Sequence, residues 1–443
     1  MVTNDIQREF FQSGETRAFS FRREQLLRLR ESVKRNEQAI YDALSIDLHK
    51  SEQESFLTEI SIVLGEIDYA LRHLRSWMRD RRVRPNLAVL PSRSWIHYEP
   101  LGTALIIAPW NYPVNLLLCP LVGAIAAGCT AVLKSSPYAP NVDKVLRSVI
   151  REAFDERYVG YFSGGRDVNT GLLALRWDLI FYTGSPRVAH VVAEAAAKHL
   201  TPCVLELGGK SPCIVDCKAD VRLAARRIVW GKLINAGQTC IAPDYIFVHR
   251  SLKSDFVAEL RHWIAEFYGE DVFASPFYPH IIRDEAVERL RRLVPFELKV
   301  GDNRCVEPVI LEDVHPDDPV MQEEIFGPIF PILEFDDMDE VVRFVNDRPK
   351  PLAFYYFGSP AEGRRVISRT SSGGACINDT LMHITNVNLP FGGVGNSGMG
   401  KYHRYESFLA FSNRRAVVSS VTWFDLKVKF VPFRGLKYLK RFI

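Results

Sequence analysis

Apolar positions recur at helical spacing through the first eighty residues of the chain. Residues 19–43 carry Leu26, Leu27, Leu29, Val33 and Ile40 among Arg, Glu and Lys, and residues 56–78 repeat the pattern with Ile60, Ile62, Val63, Leu64, Ile67, Leu71 and Leu74. Basic residues and two prolines interrupt it across 81–91, and 94–98 reads as an exposed strand. From Gly102 the pattern changes to short apolar runs alternating with amphipathic ones. Strands are predicted over 103–107, 131–133, 159–162, 178–182, 204–207 and 214–215, with helices over 116–127, 142–154 and 188–199. The alternation continues to residue 400, with helices over 221–234, 254–267 and 338–346 and strands over 245–248, 309–311 and 354–357. Strands alternating with helices argue for parallel sheets covered on both faces. A second α/β domain is the simplest account of residues 210–400, and no repeat of fixed period runs through the chain.

Length and composition narrow the function classes. At ~150 residues per domain, 443 residues suggest two or three domains. Hydrophobic content of 47% and charged content of 25% are ordinary for a globular protein in water. The balance of 56 basic against 53 acidic residues leaves +3, with no basic excess of the kind nucleic acid binding draws on. Eight cysteines are scattered without a Cys-x-x-Cys pair, and Cys213 and Cys217 have no second pair or histidine beside them. That excludes a zinc knot or a disulfide framework and points to a reducing compartment, with cytoplasmic localisation expected. No signal pattern opens the chain, and no apolar run reaches the ~18 residues of a membrane span. The end of the chain, 421–443, is basic and aromatic. The preferred reading has its aromatics packed on the body; the alternative is peripheral contact with a membrane surface.

Five stretches could carry chemistry. The first, Asn235-Ala236-Gly237-Gln238-Thr239-Cys240, places a cysteine on a loop between a helix and a strand, where reactive groups are presented. A buried inert thiol is the competing reading. The second, Val204-Leu205-Glu206-Leu207-Gly208-Gly209-Lys210, ends an apolar strand on a glutamate. Leu205 and Leu207 face one side and Glu206 the other; a buried carboxylate with a raised pKa suits a general base, though a strand-end salt bridge would explain it too. The third, Thr183-Gly184-Ser185-Pro186, passes from strand to helix with Ser185 as N-cap, a weak phosphate signal without a Gly-x-Gly-x-x-Gly spacing. In the fourth, Glu323 and Glu324 precede Phe326 and a Gly-Pro turn. The last has five glycines between Gly392 and Gly400, as expected of a loop held close to something or of a mobile lid.

Taken together in their order along the chain, the stretches resemble the aldehyde dehydrogenase superfamily, over residues 10–420. The hallmarks are Pro109-Trp110-Asn111-Tyr112-Pro113, Leu205 to Lys210, Gly237-Gln238-Thr239-Cys240, Glu324-Ile325-Phe326-Gly327-Pro328 and Pro390-Phe391-Gly392-Gly393. Gln238 to Tyr245, with Leu381-Met382-His383 and a shortened N-terminus, is similar to the class 3 branch, whose substrates are medium- and long-chain aliphatic and aromatic aldehydes. The resemblance implies a Rossmann-like cofactor-binding domain (1–81 and 103–209), an α/β catalytic domain (210–404), and a small β bridging element for oligomerisation (82–102 and 405–420), followed by the tail. It implies an NAD- or NADP-dependent enzyme, a homodimer, that oxidises aldehydes to acids. Cys240 would be the nucleophile as thiolate, Glu206 the base for water, and Asn111 with the Cys240 N–H the oxyanion hole. Trp110, Lys134, Gly184, Ser185, Leu207, Gly208, Glu324 and Phe326 would line the cofactor. No metal is implied. Two positions depart from the family pattern. Pro137 stands where a glutamate on the adenosine ribose is expected, which predicts tolerance of NADP, and Ala189 replaces a glycine of the helix N-terminal motif. A CoA-acylating enzyme or a non-catalytic protein on the same scaffold are the alternatives, disfavoured by the presence of Glu206 and of all three of Cys240, Asn111 and Glu206.

Overall fold

The computed structural model describes residues 3–86, 89–425 and 427–433. Its first six-stranded sheet runs in the order Gly398–Met399, Cys203–Glu206, Leu179–Thr183, Thr103–Ile107, Thr130–Lys134, Val159–Phe162. The last five are mutually parallel; Gly398–Met399 joins antiparallel, with Gly398 opposite Glu206. The strands centred on Thr103–Ile107, Thr130–Lys134 and Leu179–Thr183 are buried at every position, as parallel strands covered on both faces must be. Register decides what this sheet can do. Lys134 pairs with Ile107 and Phe162, and Thr183 pairs with Glu206, so Lys134, Thr183 and Glu206 all stand at carboxyl ends of strands. In open parallel sheets that edge is where ligands bind.

A second six-stranded sheet is wholly parallel: Val309–Leu311, Ile329–Phe335, Tyr245–His249, Pro212–Val215, Ala353–Phe357, Gly374–Ile377. A third, of three antiparallel strands, holds Arg81–Val83, Ser92–Pro100 and Ser412–Ser420. The α/β class, the Rossmann-like sheet, the second parallel sheet and the small β element therefore match the architecture expected.

Local chemistry explains where predicted helices were redrawn. The run 19–43 is two helices, Phe19–Arg35 and Glu37–Leu48. Asn36 separates them at φ −97° and ψ 11°, its amide donating back to Ser32 O at 2.9 Å. The run 56–78 opens with a π-turn, Phe56–Ile60, before the α-helix Ser61–Trp77. Asn115–Ala127 stays helical with Pro120 inside it and is buried throughout, a helix apolar on every face. Ser185 has the extended N-cap backbone with Pro186 next, but its hydroxyl makes no cap bond to Pro186–Ala197. Ala189 is buried in the apolar cluster with Leu105, Val192 and Leu205, so its methyl is absorbed by packing.

The described part of the tail does not pack on the body as preferred above: Trp423 is 78% exposed and Val431 81%. Residues 434–443 of the tail lie outside the described residues. Among the described residues no helix is long and apolar enough to cross a membrane, and no group of side chains could hold a metal ion.

Candidate active site

Cys240 follows a backbone turn that few sequences tolerate. Helix Val221–Leu233 ends, and Asn235, Ala236 and Gly237 then adopt left-handed φ values of +52°, +52° and +77°. For the two non-glycine residues this costs roughly 1–2 kcal/mol each. At Gly237 a Cβ would lie 2.4 Å from Gly327 O, so only glycine fits. Hydrogen bonds repay the strain. Asn235 N–H donates to Glu54 Oε1 at 2.8 Å, and Asn235 Nδ2 donates to Asn111 O at 2.9 Å and Gln238 O at 3.1 Å. Gln238 Nε2 donates to His280 O at 3.0 Å, and Gln238 Oε1 accepts the Ile282 N–H at 3.0 Å. Next to it, Thr239 Oγ1 is bonded to Tyr112 OH.

Asn111 sits against this turn. Its side-chain Nδ2 donates to Gln238 O at 2.9 Å. Its carbonyl receives both Asn235 Nδ2 and the Lys50 ammonium, the latter at 2.9 Å. Lys50 and Glu59 form an ion pair at 3.2 Å with both side chains fully buried. Glu59 Oε2 also takes the N–H groups of Val114 and Asn115, at 3.1 and 2.8 Å, at the start of helix Asn115–Ala127. This network fixes the Asn111 backbone from behind. Lys50, Glu54 and Glu59 carried no sequence signal: their partners lie up to 181 residues away.

Cys240 is half-buried and faces a cavity of about 620 Å³. Glu206 and Thr183 share its wall, and Leu57, Trp230, Phe267, Phe277 and Ile384 give it an apolar lining. Glu206 is 3% exposed, and neither of its carboxyl oxygens has a hydrogen-bond partner. Burial pushes its pKa well above the carboxylate range, opposed by Lys401. Lys401 donates to Gly392 O and, at 3.3 Å, to Gly393 O. The glycine-rich stretch is thus held against Glu206 rather than being a free lid. Leu205 and Leu207 go into the apolar cluster on the opposite face, as alternation required. The Cys240 thiol is pushed up to about 12, by burial first and then by Glu324 and Glu206. A base must therefore take its proton before or as the sulfur attacks.

On the other side lie the residues expected at a dinucleotide. Lys134 is 1% exposed, with its pKa lowered by burial to about 8. The acid whose charge bears on it is Asp143, from helix Pro140–Ala153. Asp143 accepts from Ser135, from Tyr161 OH at 3.0 Å and from Ser163 Oγ at 2.7 Å, while Pro137 is exposed. The Glu324 carboxyl lies against Gly208, where a Cβ would come within 2.3 Å of both its oxygens. Burial and then Asp244 raise it to about 8. Its loop is tied down by Lys210 to Asp244, by Ile325 N–H to Asp244 at 2.8 Å, and by Arg289 to Glu324 O at 3.0 Å. Phe326, at φ +46°, packs edge-on to Trp110 at 5.6 Å. Two expected contacts are narrowed. The Gly184 N–H is engaged by Glu206 O at 3.0 Å, and the Leu207 side chain is in the core with its N–H on Ser397 O at 3.1 Å. Only the remaining backbone atoms of these residues are left to face a ligand. The unpartnered Thr183 hydroxyl, the bare Gly208 backbone and the buried Lys134 and Glu324 fit a polar, phosphate-bearing cofactor that needs close approach.

The aldehyde dehydrogenase family model matches residues 7–417. The chain belongs to the aldehyde dehydrogenase family. It is 44% identical to 4,4'-diaponeurosporen-aldehyde dehydrogenase of Staphylococcus aureus, over 98% of this chain and 96% of that protein. It is 45% identical to the dimeric NADP-preferring aldehyde dehydrogenase of Mus musculus, over 92% of each. The structure of a substrate-bound state of Staphylococcus aureus AldH superposes with a TM-score of 0.95 at 43% identity, covering 99% of this chain and 98% of that one. This aldehyde dehydrogenase oxidises aldehydes to carboxylic acids with NAD or NADP.

Proposed function

We propose that Cys240 is the nucleophile, Glu206 the base that activates water, and Asn111 with the Cys240 N–H the oxyanion hole, acting on medium- or long-chain aliphatic or aromatic aldehydes. The observation that carries this reading is the apolar cavity of about 620 Å³ with both Cys240 and Glu206 on its wall. An alkyl chain or ring is desolvated there beside a thiol and a carboxyl that make no competing ion pair. Cys240 Sγ bonds to the aldehyde carbon as its proton passes to solvent water and the carbonyl π pair moves to oxygen, where N–H donors meet the new oxyanion. NAD or NADP, when bound, supplies the hydride acceptor. Glu206 then takes a proton from water as the water oxygen attacks the thioester carbon, releasing the acid and the Cys240 thiol. Lys134, Glu324, Phe326, Trp110 and Gly208, with the backbone near Gly184, Ser185 and Leu207, hold the cofactor. Glu206 favours hydrolysis over transfer to CoA.

The decisive experiment follows reduced-cofactor formation from aldehydes of increasing chain length, without CoA, for wild type and Cys240→Ala. Turnover that rises with chain length and vanishes in the variant is expected. Equal turnover of acetaldehyde and decanal would refute the substrate class, and an active variant would refute the nucleophile.

The same reading divides the chain into a cofactor domain (1–81 and 103–209), a catalytic domain (210–404) and a bridging element (82–102 and 405–420). The separate three-stranded sheet supports the last of these. A homodimer is supported by the unpaired outer edge of its nine-residue strand Ser412–Ser420. A monomeric mass by light scattering would overturn it. Peripheral membrane contact is supported by the exposed Trp423, Phe424, Phe430, Val431 and Phe433. Cosedimentation with anionic vesicles unchanged by deletion of 425–443 would exclude the tail as anchor.

A further inference from the structure

One half-buried acid in the cavity wall has no part in the chemistry above. Glu54 belongs to the short helix Glu52–Ser55, whose N-cap Ser51 accepts the Glu54 N–H. It lines the same cavity as Cys240. From there Oε1 reaches across 181 residues of sequence to accept the Asn235 N–H at 2.8 Å. We infer that Glu54 is a positioning residue for the nucleophile, its carboxylate anchoring the left-handed turn Asn235–Gly237 that aims Cys240 into the cavity. The inference rests on the reading of Cys240 as nucleophile.

The geometry gives this contact its weight. Leaving the helix in a left-handed turn removes the Asn235 N–H from the helical ladder, and Glu54 is its acceptor. Asn235 in turn donates to Asn111 O and Gln238 O. One residue thus ties together the expected oxyanion donor and the turn before the thiol. An ionised acceptor makes this anchor roughly twice as strong as a neutral one. Four groups bear on that ionisation. Lys50 favours it and Glu59 opposes it, while the phenols of Tyr112 and Tyr268 lie near enough to feel the Glu54 charge. Burial outweighs them all and raises Glu54 to about 7, so the anchor weakens as pH falls through neutrality.

The test compares wild type, Glu54→Ala and Glu54→Gln with decanal and benzaldehyde. It adds iodoacetamide labelling of the Cys240 peptide, read against exposed Cys217 as internal reference. Glu54→Ala is expected to lower kcat about ten- to hundredfold, KM staying within about threefold, and to shift relative Cys240 labelling by more than about threefold. Glu54→Gln keeps an acceptor; it restores most of the kcat lost in Glu54→Ala and abolishes the limb of the kcat profile near pH 7. A Glu54→Ala enzyme with unchanged kcat and labelling but raised KM would show a substrate contact and overturn the inference. Should Glu54→Ala fail to fold, a wild-type pH limb retained in Glu54→Gln would overturn it alone. Wild type inactive on both aldehydes would defeat the proposed function, while Cys240 labelling would still report on the turn.

Discussion

Replacing Glu206 by Gln should separate the two halves of the reaction. The structure makes it a clean perturbation. Glu206 is 3% exposed and neither oxygen is hydrogen-bonded, so the amide breaks no existing bond. The amide brings N–H groups that the site leaves unsatisfied, which costs about 1–3 kcal/mol of stability. The chemical loss is larger. A positioned base contributes about 10²- to 10⁴-fold, or roughly 3–5 kcal/mol of barrier. If Glu206 acts on water alone, thioester formation survives and hydrolysis does not. Rapid mixing with saturating decanal and cofactor should then give a burst of about one equivalent of reduced cofactor per Cys240. A steady rate lowered by the same 10²- to 10⁴-fold should follow. Linear turnover near the wild-type rate would refute Glu206 as the base. Loss of the burst together with the steady rate would also refute the assignment in this form. It would move Glu206 to the earlier step, as acceptor of the proton from a thiol that burial holds near about 12.

Three other outcomes follow from the same geometry. Lys50→Met strands Glu59 in a fully buried site, which should cost about 3–5 kcal/mol. At about 2.1 cal/mol/K per residue over 443 residues, that is a Tm lower by roughly 3–5 °C, and Lys50→Met with Glu59→Gln should recover much of it; a fall under about 1 °C refutes the pair's role. Pro137→Glu should raise the NAD-to-NADP ratio of kcat/KM severalfold by setting a second carboxylate near Lys134; an unchanged ratio counts against Pro137 as the reason for tolerating NADP. Stability should decline as pH rises. Burial raises Glu54 to about 7 and Glu324 to about 8, and it raises Glu206 well above the usual carboxylate value of about 4.5, so each binds its proton more tightly when folded. That contribution is full below the unfolded pKa and is lost as pH climbs through the folded one. Calorimetry should therefore find a Tm at pH 9 a few degrees below that at pH 6, and a higher one would contradict it.

What could be read before the structure was what local pattern records. Apolar runs with Gly and Pro breaks marked both parallel sheets, because a strand covered on both faces is apolar throughout, as at Thr103–Ile107 and Leu179–Thr183. The motif residues were legible because Glu206 ends a strand, Cys240 follows a glycine-bearing turn and Glu324 precedes one. The surroundings of the thiol were not legible. Burial, and then Glu324 and Glu206, 84 residues after it and 34 before it, push the Cys240 thiol up. Nor was the acid beside Lys134, since Asp143 sits in the next helix and not in the motif.

The larger omission is the layer behind the site, and its physics explains the silence. Lys50 and Glu54 fall between the two predicted helices 19–43 and 56–78, and Glu59 is one polar position of the second. They became a buried network only because Asn111 and Asn235, from two distant loops, present backbone groups there that water does not reach. A left-handed turn at Asn235 and Ala236 is unfavourable in isolation and leaves no amphipathic trace. It persists because a charge, an amide and two carbonyls over-determine it. The residues that react are therefore readable from sequence, because chemistry limits which types can serve. The residues that hold them in place are not, because any acceptor of the right length would do and only the fold says which one arrives.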